Sequence, residues 1–380
     1  MRIIFFAGGS YIGGMEIVTC SLMQELQYQG HACFAIVSGW NDGHYKSRLD
    51  EAGIANRSIK LGRLYIKKPM WTLDGLVHFP AAAWTLREVI RAFRPDIIVL
   101  TDIQFALTVL PVLPQHLPIV LHVHARPDKH WSSWLGRYVL TRAAGVVAVS
   151  DFVRNEVEAA TAVKIPSMTV HNGVSARDKV QPSYDPKLRI GIIGQLIPLK
   201  RHDMLVEAVR LLSTEERSGL DLRIYGANTT GYAKEIAQKI ELAGLADSFR
   251  WMGFASQREI YGNLDIVVSA AIGEAFGMTI LEAGSAALPV IATRSGGLPE
   301  IVRDNETGLL VEPDNPADLA QALRQLMSPS ERQRLGCNAR RHVTEHFSMS
   351  AMAHNFVSAL SAFGNKSSSN LYSPPGIYNS

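Results

Sequence analysis

The chain reads as an α/β protein built from two doubly wound halves. Three observations predict this. Apolar runs of strand length alternate with amphipathic helical stretches along the chain. A polar, proline-bearing segment, Gln181-Pro182-Ser183-Tyr184-Asp185-Pro186-Lys187, interrupts that alternation near the middle. Beyond it, Leu188-Arg189-Ile190-Gly191-Ile192-Ile193-Gly194 restarts the opening pattern of a strand, a glycine and a loop into a helix. A length of 380 residues suits two domains of ordinary size. The apolar fraction of 47% can fill two cores and is too low for an integral membrane protein.

Taken in order, the first half offers strands at Arg2–Ala7, Ala32–Val37, Ile97–Leu100, Ile119–Val123, Gly145–Val149 and Ser167–Val170. The apolar start is short and runs into Gly8 and Gly9, so it reads as a strand and not a signal peptide. Ile103–Leu121 carries no charge, but Pro111, Pro114, Pro118 and Gln115 break it into helix, loop and strand. The second half offers strands from Leu188 and at Leu222–Tyr225, Phe249–Met252, Ile266–Ser269, Val290–Ala292 and Gly308–Val311. The expected organisation is a domain over 1–180, a linker over 181–187, a second domain over 188–345, a helix over 346–363 packing back on the first domain, and a disordered tail over 364–380.

The formal net charge of +3 permits an acidic ligand or an anionic lipid surface and demands neither. Cys20, Cys33 and Cys337 are scattered, show no zinc spacing, and fit a reducing cytosol. His342 and His346 have helical metal-ligand spacing but no evident acidic third ligand, so a surface or capping role is the better reading.

The chemistry concentrates in Gly273-Glu274-Ala275-Phe276-Gly277-Met278-Thr279-Ile280-Leu281-Glu282-Ala283-Gly284. This run follows the apolar strand Ile266–Ser269 and sets two carboxylates around a Phe-Gly turn at the start of a buried helix. A strand, a tight turn and a helix N-terminus aim backbone N–H groups at a ligand phosphate. Eight residues of helix rise roughly 12 Å, an upper bound on the spacing of Glu274 and Glu282 and about the span from ribose to sugar in a nucleotide sugar. The Glu-x7-Glu pattern resembles that of the retaining glycosyltransferases of family 4. Four more segments resemble that family in order: Ala7-Gly8-Gly9 with Tyr11-Ile12-Gly13-Gly14-Met15-Glu16; Val170-His171-Asn172-Gly173-Val174; Gly194-Gln195-Leu196-Ile197-Pro198-Leu199-Lys200-Arg201; and Thr293-Arg294-Ser295-Gly296-Gly297-Leu298-Pro299-Glu300-Ile301. Together they cover nearly the whole chain.

The resemblance implies the GT-B fold, two Rossmann-like doubly wound domains facing each other across a cleft, with a nucleoside-diphosphate sugar as donor and no cofactor. By resemblance Glu282 binds the ribose hydroxyls, a vicinal diol that a carboxylate accepts well. Glu274 contacts the donor sugar, and backbone amides near Phe276, Gly277, Met278 and Thr279 hold sugar and phosphate. Lys200 serves the leaving diphosphate as a point charge. The family usually carries Arg at the position of Gln195, which can donate a hydrogen bond but brings no charge; Arg201 can compensate, or be a solvated helix start. Gly13 and Gly14 let backbone approach the donor, and His124, at the end of the strand Ile119–Val123, faces the sugar, with His122 sharing its face. No carboxylate stands at the end of the second strand to hold an adenosine ribose, which counts against NAD. No Asp-x-Asp occurs in the chain, which argues for metal independence.

For the acceptor the sequence offers less. Arg87, Arg91 and Arg94 lie on one face of an amphipathic helix, and Arg63, Lys67 and Lys68 accompany Tyr65 and Trp71. Such a basic face with aromatics can lie on an anionic membrane, bind a phosphorylated acceptor or simply be solvated. His130, Trp131 and Trp134 could stack on sugar or pack in the core. The reading is a hexosyl transfer to a glycan or lipid-linked acceptor, in cell-surface glycan or lipopolysaccharide assembly, in the cytoplasm or on the cytoplasmic face of the inner membrane, with no nucleic-acid partner. The alternatives are a GT-B isomerase or phosphorylase, and a non-catalytic subunit that binds sugar nucleotides.

Overall fold

The computed structural model describes residues 1–7, 12–40, 42–60, 69–101, 103–161, 163–177, 187–227 and 231–369. The chain divides into two compact units, Met1–Gly173 with Met349–Ser380, and Val174–Ser348. Gly8, Gly9, Tyr11, Arg63, Tyr65, Lys67, Lys68 and residues 181–186 of the linker lie outside the described residues.

The first unit holds a seven-stranded parallel sheet in the order β3-β2-β1-β4-β5-β6-β7. Its strands are β1 Arg2–Phe6, β2 Ala32–Ser38, β3 Ala55–Ile59, β4 Ile97–Leu100, β5 Ile119–Val123, β6 Gly145–Ala148 and β7 Ser167–Thr169. The inner strands β1, β4, β5 and β6 are almost wholly buried, as continuous apolar runs covered on both faces should be. The strand β3 was not foreseen. Its sequence, Ala-Asn-Arg-Ser-Ile, is polar because it lies at the sheet edge with much of its surface in solvent.

The second unit holds a six-stranded parallel sheet in the order β10-β9-β8-β11-β12-β13. Its strands are β8 Leu188–Ile193, β9 Leu220–Tyr225, β10 Phe249–Gly253, β11 Ile266–Ser269, β12 Val290–Thr293 and β13 Leu309–Val311. Ile190, Ile192, Ile224, Val268 and Ile291 lie in one apolar core. Arg189 locks β8 to β11 at their starts: its backbone N–H and its Nε donate to Asp265 Oδ2 at 2.9 and 3.0 Å, and Nη2 donates to Oδ1 at 2.9 Å. A two-pronged guanidinium–carboxylate pair of this kind fixes direction as well as distance.

The C-terminal helix runs Met349–Ser369 and belongs to the first unit. Phe356 stacks on Phe5 with ring centres 6.0 Å apart. Phe363 occupies the space a side chain at Gly145 would need, with its ring carbon 2.5 Å from where a Cβ would stand. The helix therefore continues past 364, where a disordered tail was expected. One glycine costs a helix only about 1 kcal/mol, and Asn365–Ser369 contains no proline to stop it. The unit boundary at Gly173–Val174 also precedes the linker expected from 181. Among the described residues, no helix is long and apolar enough to cross a membrane.

Candidate functional site

In the second unit the strand order reverses between β8 and β11. Ligands of open α/β sheets bind beyond the carboxyl ends of strands at such a reversal, and the predicted residues come from the two loops that leave it. After β8 the chain turns at Gly194, whose φ is +147°. Gly226, after β9, permits the close approach, since a Cβ there would lie 1.8 Å from the Gly194 carbonyl oxygen. A 3-10 turn, Pro198–Lys200, then delivers Lys200, and Arg201 at φ +49° opens the helix His202–Arg210. After β11, the loop from Gly273 reaches Gly277, which caps the helix Met278–Ser285 with φ +116°.

The two loops meet. Lys200 Nζ donates to Glu274 Oε2 at 2.7 Å, and both side chains are about four-fifths covered. Ile272 N–H donates to the Leu199 carbonyl at 3.0 Å beside them. The loop after β12 braces Glu274 from behind. Gly273 N–H donates to Ser295 Oγ at 2.9 Å, and Gly297 N–H donates to the Glu274 carbonyl at 2.8 Å. A Cβ on Gly296 would fall 2.2 Å from that same carbonyl, which explains the glycine pair in the Ser-Gly-Gly segment.

Glu282 sits on the helix Met278–Ser285, in a polar cluster of its own. Tyr261 Oη donates to its Oε2 at 2.6 Å and Gln257 Nε2 to its Oε1 at 2.7 Å. Arg177 Nη2 lies 3.8 Å from Oε1, donates to Gln257 Oε1 at 2.6 Å, and its guanidinium lies 5.3 Å from the centre of the Tyr261 ring. Burial pushes the Glu282 carboxyl above its ordinary range, while Tyr261, Arg177 and Gln257 oppose the rise. Burial and the adjacent carboxylate drive the Tyr261 hydroxyl well upward, so it stays a donor. A carboxylate has about four acceptor positions. Tyr261 and Gln257 take one on each oxygen, which leaves capacity for a diol.

Arg201 is engaged elsewhere, donating to Asp203 at 3.1 Å and pairing with Asp314. Gln195 is exposed, whereas the Phe276 ring is buried and packs against Phe347 with centres 6.1 Å apart. Met278 and Thr279 open the Glu282 helix, and the Thr279 carbonyl accepts a second contact from Tyr261 Oη at 3.3 Å.

In the first unit, Gly13 caps the helix Gly14–Tyr28, and its N–H donates to Glu16 Oε2 at 2.9 Å. His124 follows β5 and shares a face with His122: the rings are 4.0 Å apart and their nitrogens, His124 Nε2 and His122 Nδ1, 3.1 Å apart. Burial lowers the His124 imidazole to about 4 and holds His122 well below its ordinary value, so both are neutral bases. Phe356 of the C-terminal helix packs on His122, with ring centres 4.9 Å apart. Ser150 serves as a helix cap, its Oγ accepting from Val153 N–H at 3.0 Å. Trp131 is buried and Trp134 opens a helix with its ring in solvent. His342 and His346 lie on one helix, Pro329–His346, with rings 4.8 Å apart.

Arg177, Gln257 and Tyr261 were missed from sequence. Gln257 and Tyr261 stand four residues apart on one helix, Gln257–Gly262, which places both on the same face. That spacing was the only available signal.

Residues 12–177 match the model of Glycosyltransferase Family 4, and residues 175–342 match that of Glycosyl transferases group 1. The D-inositol 3-phosphate glycosyltransferase of Geodermatophilus obscurus is 32% identical over 210 residues, covering 53% of this chain and 46% of that protein. An uncharacterized glycosyltransferase of Methanocaldococcus jannaschii is 28% identical over 205 residues, 54% of this chain and 56% of that one. The chain thus spans about half the length of these curated relatives. The solved structure of Anabaena HepE in complex with UDP and glucose superimposes with a TM-score of 0.77 at 20% identity, covering 95% of this chain and 100% of that one. This likeness supports the two-domain GT-B architecture.

Proposed function

This chain belongs to the family 4 and group 1 glycosyltransferases, and we propose that it moves a hexose-type sugar from a nucleoside-diphosphate sugar to an acceptor hydroxyl with retention of configuration. The observation that carries the reading is the Lys200–Glu274 pair at the strand reversal of the second sheet. A departing diphosphate gathers negative charge that a partly buried ammonium stabilises. Glu274, released from Lys200 as the diphosphate enters, is then available to the hydroxyls of the donor sugar. Glu282 takes the ribose diol with its spare acceptor positions. The helix N-terminus at Gly277–Thr279 and the amide of Gln195 complete the donor side within the second unit.

In this mechanism the acceptor hydroxyl attacks from the face that the diphosphate leaves. The leaving diphosphate oxygen takes the hydroxyl proton, so no protein nucleophile is required. Lys200 in place of an Asp-x-Asp pair supports a metal-independent reaction. Anabaena HepE holds UDP and glucose, which makes UDP-glucose the first donor to test. A lipopolysaccharide outer core galactosyltransferase, WaaB, shares the fold with a TM-score of 0.72 at 19% identity over 95% of this chain and 99% of that one. A glycan acceptor such as a lipopolysaccharide core fits that likeness.

The test is turnover of UDP-glucose, UDP-galactose and GDP-mannose by the purified chain, with and without EDTA, followed by the anomeric configuration of the product. Retained configuration and EDTA-resistant turnover, lost in Lys200→Ala, support the proposal. Inverted product or complete EDTA sensitivity refutes it. Nucleotide binding with no transfer or hydrolysis of any donor would favour a non-catalytic binding protein, the reading to which Gln195 lends support.

A further inference from the structure

The helix Pro69–Phe93 in the first unit carries a run of exposed apolar side chains among the described residues. Met70, Leu73, Leu76, Val77 and Trp84 are each between 55% and 72% exposed. At 100° per residue, Met70, Leu73, Val77 and Trp84 fall on one side of the helix, with Leu76 at its rim. From Met70 to Trp84 this stripe runs about 21 Å. The opposite side does the ordinary work of a helix, burying Ala82, Ala83, Leu86 and Ile90. The apolar stripe is also held in place. Trp40 Nε1 donates to Asp74 Oδ2 at 2.7 Å, and Asp74 lies within 3.5 Å of Lys60 Nζ.

The stripe does not end in neutral surface. Its C-terminal end carries Arg87 and Arg91, with Arg94 just beyond, against a single carboxylate, Glu88. Beside Trp84 opens a groove of about 730 Å³ lined by Asn56, Arg57, Trp84, Thr85, Glu88 and Arg91. Among the described residues, Arg57, Arg87 and Arg91 form no ion pair. Unpaired guanidinium groups beside an exposed tryptophan and a line of aliphatic side chains form an amphipathic surface with a fixed polarity.

We propose that this face is an interfacial docking surface for an anionic lipid bilayer. The Met70–Trp84 stripe lies among the upper acyl chains, and Arg57, Arg87 and Arg91 receive lipid phosphates at and beside the groove. Charge complementarity selects this occupant. Tryptophan at the headgroup level and arginines that snorkel from an apolar face to phosphate are what a bilayer interface accommodates. Each basic side chain near an anionic surface is worth about fivefold in partitioning. Vesicle binding is read without donor or acceptor, so its failure leaves the glycosyl-transfer reading untouched.

The experiment is flotation of the full chain with vesicles of phosphatidylcholine alone and of phosphatidylcholine containing phosphatidylglycerol, over a range of salt. The unmodified chain floats with the anionic vesicles and is released by salt. Arg57→Gln with Arg87→Gln and Arg91→Gln loses about fivefold per arginine on anionic vesicles and little on neutral ones. Leu73→Ser with Val77→Ser and Trp84→Ser loses at least about tenfold on anionic vesicles. These side chains are already exposed, so the variants should melt with the parent, and Trp84→Ala alone provides a milder second test. Failure to float at low salt, or flotation unchanged by the stripe substitutions, overturns the proposal. So does light scattering that shows a dimer which the stripe substitutions dissociate, since the face is then covered by a second copy.

Discussion

Tyr261→Phe tests whether Glu282 is held ready for the proposed donor. Its hydroxyl donates to Glu282 Oε2 at 2.6 Å from a buried position, so its loss removes a hydrogen bond to a charged group in low-dielectric surroundings. Such a bond contributes about 1.5–3 kcal/mol to folding, and the melting temperature should fall accordingly. The effect on donor binding is smaller, because the bond exists before the ligand arrives. Without it the Glu282 side chain must be ordered at the moment of binding, at about 0.5–1.5 kcal/mol, roughly two- to tenfold in Kd. The pH dependence is more diagnostic. Burial already raises the Glu282 carboxyl, and Tyr261 is the leading group that opposes the rise. Removing it lets the carboxyl climb further. A protonated carboxyl turns one oxygen from acceptor to donor and no longer suits two hydroxyls of a diol. Binding should therefore fade as pH falls through the Glu282 value, and the fade should begin at a higher pH in the variant. Calorimetric titration with UDP over a series of pH values from acid to neutral reads both effects. An unchanged Kd and an unchanged pH profile in Tyr261→Phe, alongside lost binding in Glu282→Ala, would show that Tyr261 does not position the carboxylate. Unchanged binding in Glu282→Ala itself would refute the ribose assignment.

Gly296→Ala should be severe for a glycine-to-alanine change. Its φ of +65° and a Cβ 2.2 Å from the Glu274 carbonyl force the Glu274 loop to move, so stability should fall by about 2 kcal/mol or more and turnover should collapse; denaturant melts and kcat check the two together. For the central pair, Glu274→Gln should lower kcat more than it weakens nucleotide binding, and Lys200→Ala should lower kcat/KM. Because the two groups touch, the double variant should lose less than the sum of the single losses, with a coupling of about 1–3 kcal/mol in a cycle on kcat/KM; strict additivity would mean that they act independently. His202 is buried, with no partner for either ring nitrogen among the described residues, and burial together with Lys200 lowers it from 6.5 to about 4. The unfolded chain takes up a proton below about pH 6.5 that the folded chain refuses until about 4. Stability should fall across that window by an amount on the order of 3 kcal/mol from this group. Replacing His202 with Leu should flatten part of the acid slope in urea melts.

What was legible in the sequence follows from which interactions are local. The strands β1, β4, β5, β8 and β11 announce themselves because a parallel strand buried on both faces needs a continuous apolar run. Glycines that turn a chain or admit a neighbouring backbone are legible too. Gly194, Gly277 and Gly296 all have positive φ, and each stands inside a quoted motif. The edge strand β3 escaped because half of its surface is wet and its residues are those of a loop. The end of the C-terminal helix escaped because Gly364 and a serine run weaken a helix without ending it. The Glu282 cluster escaped for another reason. Glu282 was picked out on its helix, but its partners come from Arg177, beyond the end of the first unit, and from a helix more than twenty residues upstream. Each partner is unremarkable where it stands in the sequence. Folding brings them onto one carboxylate, and there burial is opposed by two hydrogen-bond donors and a nearby guanidinium. The local sequence therefore specifies where Glu282 is placed, while residues distant in the chain set the balance that governs its charge state.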